Sequence, residues 1–124
     1  MKNSLTQLFQ FLNVSNWCRG HWYKDKHNIA TLNDQLAAKF DILGAIGHLF
    51  DGKTAQQVKS YLEAHLQLNA PTFLPALFVI PKKPDGTPGP NTHRIDYSNL
   101  AKFNDEMTFL EVNRFLKSAS EVAQ

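Results

Sequence analysis

The sequence has little that would tie it to an oxidising compartment or to a charged partner. It contains one cysteine, Cys18, so no disulfide bond can form within the chain. A lone thiol agrees with a reducing compartment, and we therefore expect a cytoplasmic location. The 13 Lys and Arg nearly balance the 11 Asp and Glu, which gives a formal net charge of +2. A net charge this small does not indicate binding to nucleic acid or to anionic lipid.

Long apolar runs are also missing. The longest candidate, residues 42–50, is interrupted by two glycines and a histidine and is far too short to span a bilayer. The first residues lead directly into an amphipathic pattern, without the apolar segment and the cleavage site of a signal peptide. The sequence predicts neither a membrane partner nor export through a signal peptide.

The chain does have enough apolar side chains to fold as one unit. Of its 124 residues, 43% are hydrophobic, and neither an internal repeat nor a linker divides them. We therefore expect a single compact domain over residues 1–124. Residues 82–92 are rich in proline and glycine and are interpreted as an exposed loop inserted into that domain. Loops of this length in small domains are often binding or lid elements, and disorder without function is at least as common.

Hydrophobic periodicity predicts four main helices, over residues 5–14, 33–50, 54–68 and 108–123, with a single helical turn at 98–103. Three helix starts have the spacing of a capping box: Ser4 with Gln7, Thr54 with Gln57, and Thr108 with Glu111. The second helix, from Asn33 or Asp34 to Phe50, is apolar on two faces, which indicates a central position. Gly44 and Gly47 within it indicate that another segment packs closely against its backbone.

Three segments have the aromatic or apolar character of strands: residues 21–24, 76–80 and 93–97. Together with the helices they predict an α+β fold. We expect about four helices packed around the central second helix, beside a small sheet of two or three strands.

Both tryptophans and the cysteine lie within residues 16–25, which we call the corner segment. We expect Trp17 and Trp22 to be core or boundary anchors, because an indole buries a large apolar area and needs one partner for its N–H. Gly20 is interpreted as a bend between the first helix and the sheet. The outward face of the corner segment is expected to carry four polar or basic side chains: Arg19, His21, Tyr23 and Lys24.

Three short motifs occur in a characteristic order: Trp17-x-Arg19-Gly20, then Leu43-Gly44-Ala45-Ile46, then Phe103-Asn104-Asp105 before Thr108-Phe109-x-x-Val112. This order resembles an uncharacterised small domain of bacteria and their phages, in which a tryptophan and a glycine flank a basic or amide residue. Many members have a cysteine just before the helical glycine-alanine, where this chain has Phe40-Asp41-Ile42. The resemblance implies a compact helical domain with a small sheet, and it implies no enzymatic activity.

An enzyme of the cysteine-dependent hydrolase or transferase type is the alternative interpretation. The nucleophile would be Cys18, with its pKa lowered by a nearby cation. The candidate partners are His21 or His93 as the base and Asn91, Asp96 or Asp105 as the third residue. Cys18 follows a helix instead of opening one, and no local signature of a cysteine protease is present. This alternative predicts a thiol pKa well below the ordinary value.

Other site chemistries have less support. No Cys or His pair has the short spacing of a zinc site, and no phosphate-binding or dinucleotide fingerprint occurs, so we expect neither a metal nor a cofactor. Basic and aromatic residues alternate in the non-helical part, which makes nucleic-acid binding a weaker alternative, although acidic residues dilute that face.

The favoured function is that of a small non-enzymatic interaction module of bacterial or phage type, which binds another protein. The expected surface combines the corner segment with the loop at 82–92. Its candidate binding residues are Arg19, His21, Trp22, Tyr23, Lys24, Lys82, Lys83 and Arg94.

Overall fold

A computed structural model describes residues 1–73, 84 and 100–123 of the chain. These residues form five α-helices and a two-stranded antiparallel sheet. In chain order the elements are α1 (Lys2–Phe11), β1 (Tyr23–Asp25), β2 (Ala37–Phe40), α2 (Ile42–Leu49), α3 (Gly52–Phe73), α4 (Leu100–Glu106) and α5 (Phe109–Val122). The predicted α+β class is confirmed.

The helices share one apolar core. α1 packs along α5, and α2 contacts α1, α3 and α4, as expected for a central second helix. Helical spacing brings the core side chains to one face of each helix. The largest fully buried ones are Leu5 and Leu8 of α1, Ile42 of α2, Leu62 and Leu66 of α3, Leu100 and Phe103 of α4, and Phe115 and Leu116 of α5.

The last helix begins as its local sequence predicts. The Thr108 hydroxyl accepts the backbone N–H of Glu111, and the Glu111 carboxylate accepts the backbone N–H of Thr108. Met107 and Val112, at the two positions of a hydrophobic staple, are both buried in the core. The prediction of this helix is confirmed, from its cap to its apolar face.

The predicted second helix is wrong in its first half. Asn33 caps only a short 3₁₀ turn, Asp34–Leu36, which leads into the strand β2. The helix begins at Ile42, where the Asp41 carboxylate accepts the N–H of Gly44 at 2.6 Å. Residues 37–40 become a strand because they pair with residues distant in sequence, a tertiary interaction that overrides the local apolar pattern.

Other predicted boundaries are also corrected. α1 begins at Lys2 without a side-chain cap, so the capping box at Ser4 is not formed. The N–H of Thr54 donates to Asp51 at 2.9 Å, which places Thr54 inside the first turn of α3. α3 continues to Phe73 instead of ending near residue 68, and α4 continues to Glu106 instead of ending at residue 103.

The sheet uses one predicted strand and one unexpected one. β1 overlaps the predicted strand at 21–24, and it pairs with β2 through Tyr23 opposite Phe40 and Lys24 opposite Lys39. Short bridges extend the sheet on both sides, between Lys24 and Ala30 and between Trp17 and Phe40. The strands expected at 76–80 and 93–97 and the loop at 82–92 lie outside the described residues, apart from position 84.

Candidate functional site

The inner side of the corner segment is organised by a buried asparagine, Asn104 of α4. Its side-chain oxygen accepts the indole N–H of Trp17 at 2.7 Å and the backbone N–H of Ile42 at 3.1 Å. Its side-chain nitrogen donates to the carbonyl of Cys18 at 3.0 Å. Because Asn104 is 0% exposed, its side chain forms these bonds in place of hydrogen bonds to water. The bonds connect α4 to the corner segment and to the start of α2.

Two residues proposed for binding or catalysis serve this same structure. The Arg19 guanidinium donates to the carbonyl of Met107 and lies over the Trp17 ring, 5.2 Å from its centroid. The Asp105 carboxylate accepts the N–H of Gly20 at 2.8 Å, and Gly20 has a φ of +83°, a conformation that glycine adopts without strain. Arg19 is exposed as predicted, but its guanidinium already contacts the Met107 carbonyl and the Trp17 ring.

Cys18 lacks the surroundings of a nucleophile. The side chain is buried, and its thiol donates to the backbone carbonyl of His21 at 3.4 Å instead of contacting the imidazole. Burial, followed by the nearby Asp41 carboxylate, raises the pKa of this thiol to about 11. The alternative interpretation requires the opposite shift. Of its other candidates, Asn91, His93 and Asp96 lie outside the described residues.

Asp41 is a second buried ionisable group at the same place. It is 2% exposed, and burial raises the pKa of its carboxyl to about 6, although the hydrogen bond from Gly44 acts in the opposite direction. The Asp41 backbone N–H donates to the carbonyl of Trp22 at 3.2 Å. Asp41 thus caps α2 and fixes the backbone of the corner segment.

Two aromatic residues of the corner segment have burial opposite to that predicted. Tyr23, expected on the outward face, is 9% exposed and packs edge-on against Phe40. Trp22, expected to be a core or boundary anchor, is 57% exposed. Successive side chains of a strand point to opposite faces, so burying Tyr23 turns Trp22 outward.

Close packing holds the Trp22 backbone in this orientation. A Cβ added to Gly44 would lie 1.9 Å from the Trp22 carbonyl oxygen, so this approach of α2 requires glycine. The prediction that a segment packs closely against α2 is confirmed at Gly44. At Gly47 an added Cβ would lie 3.1 Å from the Tyr23 hydroxyl, which confirms close packing there too.

An exposed apolar side chain lies beside Trp22: Leu32 is 98% exposed and lines the same cleft. We call Trp22, Ala30 and Leu32 the Trp22 surface. An open cleft of about 390 Å³ lies within it, lined by Gly20, His21, Trp22, Ala30, Thr31 and Leu32. A second cleft of about 240 Å³ lies on the α2 side of Trp22, and its lining includes Leu43, Gly47 and Lys59.

The sequence reasoning located part of this surface. Of the predicted binding residues, His21 and Trp22 line the larger cleft, while Lys24 is half-buried in β1. Lys82, Lys83 and Arg94 lie outside the described residues. Ala30 and Leu32 were missed, although three apolar residues, Ile29, Ala30 and Leu32, lie close together in an otherwise polar segment and were a usable signal.

Residues 1–73 and 100–123 give no support for a metal site or for a membrane-spanning helix. No group of three or more His, Cys, Asp or Glu side chains is arranged there to hold a metal ion. None of the helices in this part of the chain is long and apolar enough to cross a membrane.

No protein-family model, no curated protein and no solved structure matches this chain. The resemblance of its three motifs to a small bacterial and phage domain stays a prediction. Function is therefore inferred from the geometry of the corner segment and its neighbours.

Proposed function

We propose that this protein is a small non-enzymatic interaction module that binds another protein through the Trp22 surface. The supporting observation is the cluster of exposed apolar side chains, with Trp22 at 57% and Leu32 at 98% exposure, beside a preformed cleft. Contiguous exposed apolar side chains mark interaction sites, and tryptophan is enriched among the residues that dominate binding energy.

The backbone of Trp22 is held in place by the fold. The Trp22 carbonyl accepts the N–H of Asp41, and the backbone of α2 lies against it at Gly44. A side chain on a fixed backbone loses less conformational freedom on association, which favours affinity. The exposed indole thus projects from a backbone that the protein holds.

The chemistry of Cys18 supports a binding role over an enzymatic one. A buried thiol with its pKa raised to about 11 is almost entirely protonated at neutral pH, and the protonated form is the poor nucleophile. The bacterial or phage setting of the module is part of the proposal and rests on the sequence resemblance.

The test compares the wild-type protein with Trp22→Ala and Leu32→Ser as baits in lysate, followed by titration of any captured partner in purified form. The matched control is Leu110→Ser, since Leu110 is also an exposed leucine (65%) but lies on α5. We expect each surface variant to weaken the affinity at least tenfold and the control to leave it unchanged. A Cys18→Ala variant that folds should bind like the wild type.

The proposal would be contradicted by a purified partner that binds the two surface variants as tightly as the wild type. Capture of no partner at all, from several lysates, would also count against it. Loss of an activity on Cys18→Ala substitution in a folded protein would favour the cysteine-dependent alternative.

A further inference from the structure

The outer edge of the sheet carries an unpaired backbone. Residues 29–31 run antiparallel to β1: the N–H of Asp25 donates to the carbonyl of Ile29 at 2.8 Å, and the N–H of Thr31 donates to the carbonyl of Tyr23 at 3.1 Å. Ala30 lies between these two bonds, opposite Lys24. In this geometry its own N–H and C=O point away from β1, toward the outer edge. Among the described residues, no group hydrogen-bonds to either of them.

The side chains on the outward face of this sheet form two rows. One row is apolar and consists of Trp22 and Leu32, at the cleft. The other consists of Ala30, Lys24 and Lys39, because Lys24 is the cross-strand partner of both others. Strand alternation places Lys24 and Lys39 on the face opposite buried Tyr23 and Phe40, and the exposed Trp22 and Leu32 lie at the cleft beside Ala30.

The second row has an excess of positive charge. Lys24 and Lys39 are direct cross-strand neighbours, an arrangement that is unfavourable for like charges. Within the described ranges, neither ammonium group has a carboxylate within ion-pair distance. The nearest carboxylate in sequence, Asp25, accepts the backbone N–H groups of His27 and Ile29 instead. This row therefore complements an anionic group.

We propose that the partner binds as an extended segment that adds a strand beyond Ala30, with an acidic residue opposite Ala30 and an apolar residue two positions away. This inference rests on the proposed function and specifies the chemistry of its partner. The N–H and C=O of Ala30 supply the backbone hydrogen bonds, as in other cases of strand addition to a sheet edge.

The spacing follows from the geometry of a sheet. The residue that pairs with Ala30 points to the same face as Lys24 and lies two strands away from it, at about 4.8 Å per strand. The small side chain of Ala30 leaves room for a carboxylate to reach over it to the Lys24 ammonium. Side chains two positions apart share a face, so the next residue on this face lies beside Leu32 and enters the cleft.

The probe is an end-blocked octapeptide of β-branched residues that carries one glutamate and one phenylalanine two positions apart. Its binding is measured by calorimetry against the wild type, Ala30→Pro and Lys24→Glu. Proline removes the outward N–H of Ala30 and also restricts the backbone of residues 29 and 30, but it is tolerated at sheet edges, and thermal unfolding checks that this variant folds. A second peptide, N-methylated at the residue opposite Ala30, tests the same bond without changing the protein.

We expect the wild type to bind the probe, and Ala30→Pro or peptide methylation to weaken binding at least tenfold. Lys24→Glu should lose affinity for the glutamate peptide and gain it for a peptide with lysine at that position. Equal binding by methylated and unmethylated peptides, or no binding at millimolar concentration, overturns the inference. A wild-type dimer that Ala30→Pro dissociates would also overturn it, since the occupant would then be a second copy.

Failure of this inference is distinguishable from failure of the proposed function. If a partner needs Trp22 and Leu32 but binds the Ala30→Pro variant normally, the proposed function stands and strand addition is ruled out. If a partner's binding does not depend on Trp22, Leu32 or Ala30, both the proposed function and strand addition are ruled out.

Discussion

Trp17 and Trp22 are five residues apart and have opposite environments. The indole N–H of Trp17 donates to buried Asn104, and its ring packs between Phe109 and Arg19. Trp22 is 57% exposed between two clefts, and its backbone carbonyl accepts the N–H of Asp41. One short segment therefore contains both an anchor of the fold and the main candidate for binding.

The comparison shows that composition does not separate structural from functional residues. Arg19 and Cys18 have reactive side chains, yet both are engaged on the inner side of the corner segment. Leu32 has no chemical reactivity, yet it is almost fully exposed beside the cleft. The face of the chain on which a side chain lies, and not its residue type, decides its role here.

The inner side should be the more sensitive to mutation, and Asn104→Ala should have the largest effect. It leaves the Trp17 indole, the Ile42 amide and the Cys18 carbonyl without their buried partner, at a cost of about 4 kcal/mol in unfolding free energy. Urea unfolding measures the change. The control is Asn113→Ala on α5, where no such cluster of partners exists among the described residues. A loss below about 1 kcal/mol would show that Asn104 does not hold the corner segment together.

Gly44→Ala should have the next largest effect. The new Cβ would lie 1.9 Å from the Trp22 carbonyl oxygen, and the forced shift should cost about 3 kcal/mol. This outweighs the gain of about 1 kcal/mol in helix propensity. Gly52→Ala is the matched control, because nothing lies within 4 Å of its added Cβ. Equal stability of the two variants would contradict the close packing of α2 against the corner segment.

Asp41 should make stability depend on pH. Its pKa is raised from 3.8 to about 6, so the folded state prefers the protonated form. The associated stability is present below about pH 4 and is lost as pH rises through about 6, on the order of 2–3 kcal/mol. Asp41→Asn keeps a capping oxygen for Gly44 and cannot ionise.

The measurement for Asp41 is the unfolding free energy of both proteins between pH 4 and pH 7. We expect Asp41→Asn to gain stability relative to the wild type as pH rises across this range. A constant difference between the two proteins would mean that the Asp41 carboxyl titrates alike in the folded and unfolded states.

The smallest effect is expected from matched tryptophan-to-phenylalanine substitutions. Trp17→Phe removes the bond to Asn104 and should cost about 1.5 kcal/mol, while Trp22→Phe should change stability by less than about 0.5 kcal/mol. The same two variants allow acrylamide quenching of the remaining indole. The fluorescence of Trp22 should be quenched much more strongly than that of Trp17. Similar quenching of the two indoles would contradict the difference in exposure between Trp17 and Trp22.

Sequence reasoning succeeded where the signal is local. The capping box at Thr108 and the apolar face of α5 depend on residues a few positions apart, and both were predicted. It failed at β2, because residues 37–40 form a strand only by pairing with Tyr23 and with residues 16–18. That error also hid the cap at Asp41 and the alternation that buries Tyr23 and exposes Trp22.

The sequence by itself determined the fold class, the last helix and the need for close packing at Gly44, because periodicity, capping and the lack of a side chain are properties of short segments. Only the tertiary structure decided which side of the corner segment faces the core. That choice depends on Asn104, which is 87 residues from Trp17 and bonds to it, and on the pairing of Phe40 with Tyr23. Contacts between distant residues leave no periodic pattern, so the exposed Trp22 surface became visible only in the folded chain.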